Sequence, residues 1–262
     1  MTRNSNAFEL KRMTVLVTGA TGYLGKDISI GLAEAGAHVL VNSRDINKAT
    51  ALSNLIKRMG LSAESACFDI SDSKSIKTFF EEYKGELSII VNNAYNGKGG
   101  TIEHSDELDF SNSYHLVVSA ANNIFQASLP LLRKSVNSIG YSSIINISSM
   151  YGTVSPDLGM YKDPLSSNPP FYGAAKAALI QWSKYGACEF GHEGIRFNCI
   201  SPGPFPNTQN SPEFISKLAA KVPMSRVGKS YEMKGPVVFL ASSASSFVNG
   251  TNLKVDGGWT AW

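Results

Sequence analysis

Short apolar runs alternate with segments whose apolar residues recur at helical spacing, and the alternation holds along most of the chain. Met13–Thr18 is a compact apolar run that stops at Gly19, the pattern of a strand buried on both faces. Leu24–Ala35 repeats apolar residues every three to four positions and stops at Gly36, a normal C-terminal end for a helix. The same reading predicts strands at Ala37–Val41, Ala63–Phe68, Leu87–Val91, Ser143–Ile147, Ile195–Ile200 and Asn252–Val255. Between them it predicts helices over Asn47–Met59, Ser73–Tyr83, Ala120–Leu132, Tyr172–Phe190 and Tyr231–Ala241. Strand–helix alternation of this kind predicts an α/β fold, a doubly wound parallel sheet with helices on both faces. No linker-like composition and no internal repeat divides the chain, so one domain over residues 1–262 is expected.

Two stretches break the rhythm. Residues 151–170 hold Pro156, Pro164, Pro169 and Pro170 and no periodic run, and residues 201–223 open on Pro202-Gly203-Pro204 and read as irregular too. Both follow strands, which places them at the carboxyl edge of the sheet, where open α/β sheets bind ligands.

Bulk properties narrow the function classes. The hydrophobic share of 43% and charged share of 17% are those of a globular chain. A net charge of +3, with no block of like charges, argues against nucleic acid or an anionic membrane as partner. The polar stretch Met1 to Arg12 lacks the apolar run of a signal peptide, and no stretch reaches the length of a membrane span, so a cytoplasmic protein is expected. Cys67, Cys188 and Cys199 are widely spaced among apolar residues, with no histidine pair nearby. They are expected to be buried thiols in a reducing compartment rather than metal ligands.

Candidate chemistry gathers at the predicted strand ends. Thr18-Gly19-Ala20-Thr21-Gly22-Tyr23-Leu24-Gly25 follows the first strand and opens the first helix, where glycines admit close backbone approach and free helix N–H groups can face a pyrophosphate. The second strand ends in Asn42-Ser43-Arg44-Asp45. Arg44 suits a 2′-phosphate and so favours NADP(H) over NAD(H); Asp45 reaching the ribose, or Arg44 as a solvated charge, are the other readings. Tyr172 and Lys176 stand four apart on one helix face. Before any desolvation offset, an ammonium ~4 Å from a phenol would lower its pKa by roughly three units at an effective dielectric of ~20. Ser148 and Ser149 follow a strand, where a hydroxyl either meets a substrate oxygen or caps backbone groups.

Taken together, these motifs resemble the short-chain dehydrogenase/reductase family over nearly the whole chain. The glycine loop, Asp69-Ile70, Asn92-Asn93-Ala94, Ile145-Asn146-Ile147-Ser148-Ser149, Tyr172/Lys176, Ser201-Pro202-Gly203-Pro204 and Val255-Asp256-Gly257-Gly258-Trp259 carry the resemblance. It implies a Rossmann-type fold and a reversible hydride transfer between NADP(H) and a carbonyl or secondary alcohol. Tyr172 would be the general acid/base, Lys176 would lower its pKa and bind the nicotinamide ribose, and Ser149 would orient the substrate oxygen. Gly19, Thr21, Gly22, Tyr23 and Leu24 would line the pyrophosphate, Asp69 and Ile70 the adenine, Asn93 and Ala94 the adenosine ribose, and Pro202, Gly203 and Phe205 the nicotinamide. A homo-oligomer is implied as well, with Trp259 and Trp262 near the last strand as candidates to cover an interface.

The departures are informative. Glycines at 19, 22 and 25 have the spacing of the sugar-nucleotide branch of the superfamily, which keeps an epimerase or dehydratase as an alternative. The family's Asn-Asn-Ala-Gly is Asn92-Asn93-Ala94-Tyr95 here, and its catalytic Asn is replaced by His115 or Val117, which keeps a non-catalytic dinucleotide sensor as another. Tyr95, Ser149-Met150-Tyr151-Gly152 and the 151–170 insertion look like oxidoreductases of bacterial sugar pathways, including those of sialic-acid-like sugars. A polar loop over the cleft fits a sugar-like substrate.

Overall fold

The protein was analysed as a computed structural model that describes residues 7–207 and 209–262, so the first six residues of the polar N-terminal stretch lie outside it. Seven parallel strands form one sheet in the order β3-β2-β1-β4-β5-β6-β7. They are β1 (Thr14–Val17), β2 (His38–Ser43), β3 (Ser62–Cys67), β4 (Ile89–Asn92), β5 (Ser142–Ile147), β6 (Ile195–Pro202) and β7 (Asn252–Val255). The helices are α1 (Tyr23–Glu34), α2 (Ile46–Arg58), α3 (Ser73–Glu82), α4 (Glu107–Tyr114), α5 (Ala120–Ile139), α6 (Pro170–Phe190), α7 (Pro212–Lys221) and α8 (Lys234–Ala241). The predicted single Rossmann-type sheet is the observed one.

Strand residues alternate between two cores. Val15, Val17, Val39, Val41, Ile89, Val91, Ile145 and Ile147 face one layer, packed with Ile28, Leu32 and Leu240. Leu16, Leu40, Ile90, Ile144 and Phe197 face the other, packed with Phe80, Ile124, Phe125 and Leu132. Central strands buried on both sides read as continuous apolar runs, which is why the pattern located them. The order in which strands are added switches sides between β1 and β4, all strands staying parallel, which opens a crevice at their carboxyl ends.

Several expectations need correction. Cys67 and Cys188 are exposed, and only Cys199 is buried, because single apolar neighbours in sequence do not decide which side of a strand end or helix a thiol faces. The 201–223 stretch is not irregular throughout, since α7 fills its second half, started by the Ser211 side chain and Pro212 at the first helical position. α4 was not foreseen; a capping box between Asp106 and Asp109 begins it, and a π turn at His115–Ser119 joins it to α5. The predicted helix over Tyr231–Ala241 divides into a 3₁₀ turn at Ser230–Met233 and α8.

Candidate active site

A cleft of about 580 Å³ runs along the carboxyl ends of β1 to β6. Every residue singled out above for catalysis or cofactor contact lines it: Gly19, Thr21, Gly22, Tyr23, Leu24, Arg44, Asp69, Ile70, Asn93, Ala94, Ser149, Tyr172, Lys176, Pro202, Gly203 and Phe205.

The glycine loop is pinned by its neighbours. Gly19 takes φ +59° and lies so close to the end of β4 that a Cβ would come within 2.7 Å of the Ala94 Cα. Thr18 Oγ1 accepts from the backbone N–H of Asn93 (3.0 Å) and Ala94 (3.2 Å), and the Asn93 side chain donates to the carbonyls of Thr18 (3.0 Å) and Gly19 (3.2 Å). Asn93 therefore acts on the loop itself, and its amide is already engaged there. No side chain caps the N-terminus of α1 and no acidic residue stands in its first turn, which leaves the positive helix end facing the cleft. That cradle fits a pyrophosphate. Tyr23 Oη crosses the cleft mouth and donates to the Pro206 carbonyl at 2.9 Å.

At the end of β2 the side chains divide their tasks. Asn42 is buried and donates to the carbonyls of Ala66 (3.0 Å) and Phe68 (3.1 Å), so it ties β2 to β3. Asp45 Oδ1 accepts from the N–H groups of Asn47 and Lys48 and caps α2. Arg44 and Lys48 are the cations on the cleft at this end. Asp45 Oδ2 also lies 4.0 Å from Lys48 Nζ, and Lys48 is a lining residue that sequence reasoning missed. Asp69 is fixed by Ser71, whose hydroxyl (2.7 Å) and N–H (2.8 Å) hold Oδ1 and keep the carboxyl below its ordinary range.

Ser148, Ser149, Tyr172 and Lys176 meet where β5 ends against α6. Ser148 Oγ donates to the Lys176 carbonyl at 2.9 Å and staples the helix to the strand. Ser149 Oγ accepts from the Tyr151 N–H at 3.1 Å and lies beside the Tyr172 phenol. Lys176 is 3% exposed and donates from Nζ to the Ile147 carbonyl at 2.7 Å. Its ammonium stands 5.6 Å from the centroid of the Tyr172 ring, and burial pulls its pKa down to about 8. Burial also raises the Tyr172 phenol above its ordinary value, the Ser149 hydrogen bond opposing it. The expected lowering of the phenol is thus corrected: the desolvation offset exceeds it, and the ammonium is engaged by the Ile147 carbonyl.

Behind this corner a buried chain of polar groups joins sheet to helix. Asn92 Nδ2 donates to Asn146 Oδ1 (2.8 Å), Asn146 Nδ2 to Ser183 Oγ (2.7 Å), and Ser183 Oγ to the Leu179 carbonyl (2.8 Å). Neither candidate for the missing Asn brings a polar group to the tyrosine. His115 Nε2 donates to the Ser71 carbonyl at 2.8 Å, and Val117 is buried with Val118, Ala121, Ala175 and Leu179.

Residues 19–260 match the protein-family model described as enoyl-(acyl carrier protein) reductase. The chain belongs to the short-chain dehydrogenase/reductase family. Members of this family are oxidoreductases, and so is this protein. A tropinone reductase homologue of Arabidopsis thaliana is 32% identical over 97% of this chain and 94% of its own length. Gluconate 5-dehydrogenase of Gluconobacter oxydans is 30% identical over 97% of this chain and 96% of its own. Among solved structures, a gluconate 5-dehydrogenase of Burkholderia cenocepacia in complex with NADP and tartrate superposes with a TM-score of 0.86 at 29% identity, covering 98% of both chains. The fold and cleft are therefore those of an NAD(P)-binding short-chain dehydrogenase/reductase. Among the described residues no helix is long and apolar enough to cross a membrane.

The 151–170 insertion supplies no residue to the lining of the cleft and is latched to its surroundings. Lys221 pairs with Asp157, Lys162 with Glu213 at 3.0 Å, and the rings of Tyr161 and Phe214 lie 5.5 Å apart. Ser167 exchanges two hydrogen bonds with Gly100 (3.0 and 3.2 Å), which joins the insertion to the loop after β4.

Proposed function

We propose that the protein interconverts a ketone and a secondary alcohol on a small polyhydroxylated substrate, with NADP(H) preferred. The observation that carries this reading is the convergence of Ser149, Tyr172 and Lys176 on one end of a cleft whose other end carries Arg44 and Lys48. Ser149 and Tyr172 hold the substrate oxygen between two hydroxyls. In reduction the Tyr172 phenol gives its proton to that oxygen, and in oxidation it takes the proton from the alcohol. The Lys176 ammonium stabilises the phenolate that remains. When bound, the nicotinamide supplies or accepts the hydride. Pro202, Gly203 and Phe205 border the nicotinamide end, Gly19, Thr21, Gly22, Tyr23 and Leu24 the pyrophosphate, Asp69 and Ile70 the adenine, and Arg44 with Lys48 the 2′-phosphate.

The substrate class is supported by gluconate 5-dehydrogenases among the relatives. A screen of keto-acids of sugars, free keto-sugars and nucleotide-linked sugars with NADPH, read by loss of nicotinamide absorbance, tests it. Turnover of polyhydroxylated ketones above acyl or bicyclic amine ketones is expected. Selective turnover of acyl ketones would overturn the substrate class, and no NADPH oxidation with any ketone would overturn the enzyme reading.

A further inference from the structure

Lys176 carries its charge in an unusual setting. It is buried, it makes no salt bridge among the described residues, and its Nζ donates to the Ile147 carbonyl. The groups around it come from four elements. β5 gives that carbonyl; β6 gives Cys199, a thiol that burial pushes up to about 11 and so keeps neutral; α6 gives the Tyr172 ring. The loop after β4 gives Tyr95, whose ring centroid is also 5.6 Å from Nζ. Two aromatic rings and one carbonyl therefore stand around a buried ammonium without a carboxylate.

Tyr95 is built into that place. Asn93 and Ala94 are fixed by Thr18, which directs the next side chain across the cleft floor. Its ring packs on the cluster of Val117, Val118, Ala121, Ala175 and Leu179, and meets the Tyr172 ring edge-on, with centroids 4.7 Å apart and planes at 60°. The chain then turns back over the phenol. A Cβ on Gly97 would fall 2.3 Å from Tyr95 Oη, so the turn passes only because residue 97 has no side chain. Gly100, hydrogen-bonded to Ser167, ties off the far side of the loop.

We propose that Tyr95 is a positioning residue, whose ring holds the Lys176 ammonium in its charged form and fixes the Tyr172 ring beside it. The inference rests on the reading of Tyr172 and Lys176 given above and deepens it. A ring face attracts a cation through its quadrupole, and the attraction is largest where water is excluded. The ring edge of Tyr172 against Tyr95 restricts the phenol to one orientation. The hydroxyl of Tyr95 has no part in either effect, so phenylalanine should serve and an aliphatic side chain should not.

The test compares Tyr95→Phe and Tyr95→Leu. In cofactor-free protein carrying 13C-labelled lysine, the Lys176 side-chain resonance is followed by NMR through a pH titration. Tyr95→Leu should lower the Lys176 midpoint by about one pH unit, and Tyr95→Phe should leave it in place. In turnover, the alkaline limb of ketone reduction should move down by the same amount in Tyr95→Leu, because activity is lost as Lys176 releases its proton. At pH 8, kcat should then fall about five-fold, with KM for NADPH within about two-fold. An unchanged lysine midpoint in Tyr95→Leu, or equal losses in both variants, would overturn the proposal. Should Tyr95→Leu fail to fold by circular dichroism, Tyr95→Met gives the same comparison with a side chain that adapts to the space. Full turnover in Tyr172→Phe would instead refute the underlying reading, and the NMR titration distinguishes the two failures because it needs no catalysis.

Discussion

The cleft and the 151–170 segment are held by different means. On the side of β1, β2 and β3, position is set by backbone turns and short-range hydrogen bonds: Gly19 against Ala94, Asp45 on the start of α2, Asp69 on Ser71. In the 151–170 segment, position is set by side chains that meet from distant parts of the chain: Lys162 with Glu213, Lys221 with Asp157, Ser167 with Gly100. The first is rigid because strand ends and helix starts leave it few alternatives. The second depends on exposed ion pairs, each worth ~0–1 kcal/mol, and is the part that substitutions can reshape without loss of the sheet. Ser149, Tyr172 and Lys176 stand at the seam.

The seam should show the largest effects. Tyr172→Phe should lower turnover by about 10³-fold while NADPH affinity, read by fluorescence quenching, changes less than about two-fold. Next comes the buried ammonium. With Lys176 at about 8 in the fold and near its ordinary 10.5 when unfolded, the unfolded chain binds more protons between those values. Stability should therefore rise with pH across that window, by up to about 3 kcal/mol relative to Lys176→Met, which has no such proton to lose. Urea midpoints of both proteins from pH 7.5 to about 10 check the sign, and parallel curves would contradict it. On the rigid side, Arg44→Ala should raise the Kd for NADPH by about 10- to 100-fold and that for NADH much less. Equal losses would remove Arg44 from the phosphate. The smallest effect is expected on the latched side, where Lys162→Ala with Lys221→Ala should raise KM for the ketone by less than about five-fold and leave NADPH affinity unchanged. A larger loss of NADPH affinity there would mean that the two parts are not independent.

The same division explains what was legible in the sequence. Apolar strands and glycine turns are local signals, so the sheet and the glycine loop were legible in the sequence, while Asp69 and Pro202 were singled out by the family resemblance. α4 escaped because Glu107–Tyr114 is mostly polar and has only one buried residue, Ser113. α7 escaped because the prolines before it masked a good start, Ser211-Pro212-Glu213. Lys48 escaped because its place on the cleft follows from the turn between β2 and α2 and from no motif. Tyr95 was noticed as a phenol at the site mouth, but its contact with Lys176 joins residues 81 positions apart, and no periodicity carries that information.

The amide chain from Asn92 through Asn146 to Ser183 has a consequence for how the protein fails on heating. It fastens the middle of the sheet to the very helix that bears Tyr172, in a buried interior where an unmade hydrogen bond is expensive. That helix has no low-cost way to loosen by itself. Inactivation and global melting should then share one temperature window, and efforts to harden the enzyme would be better spent on its outer latches than on this already locked interior.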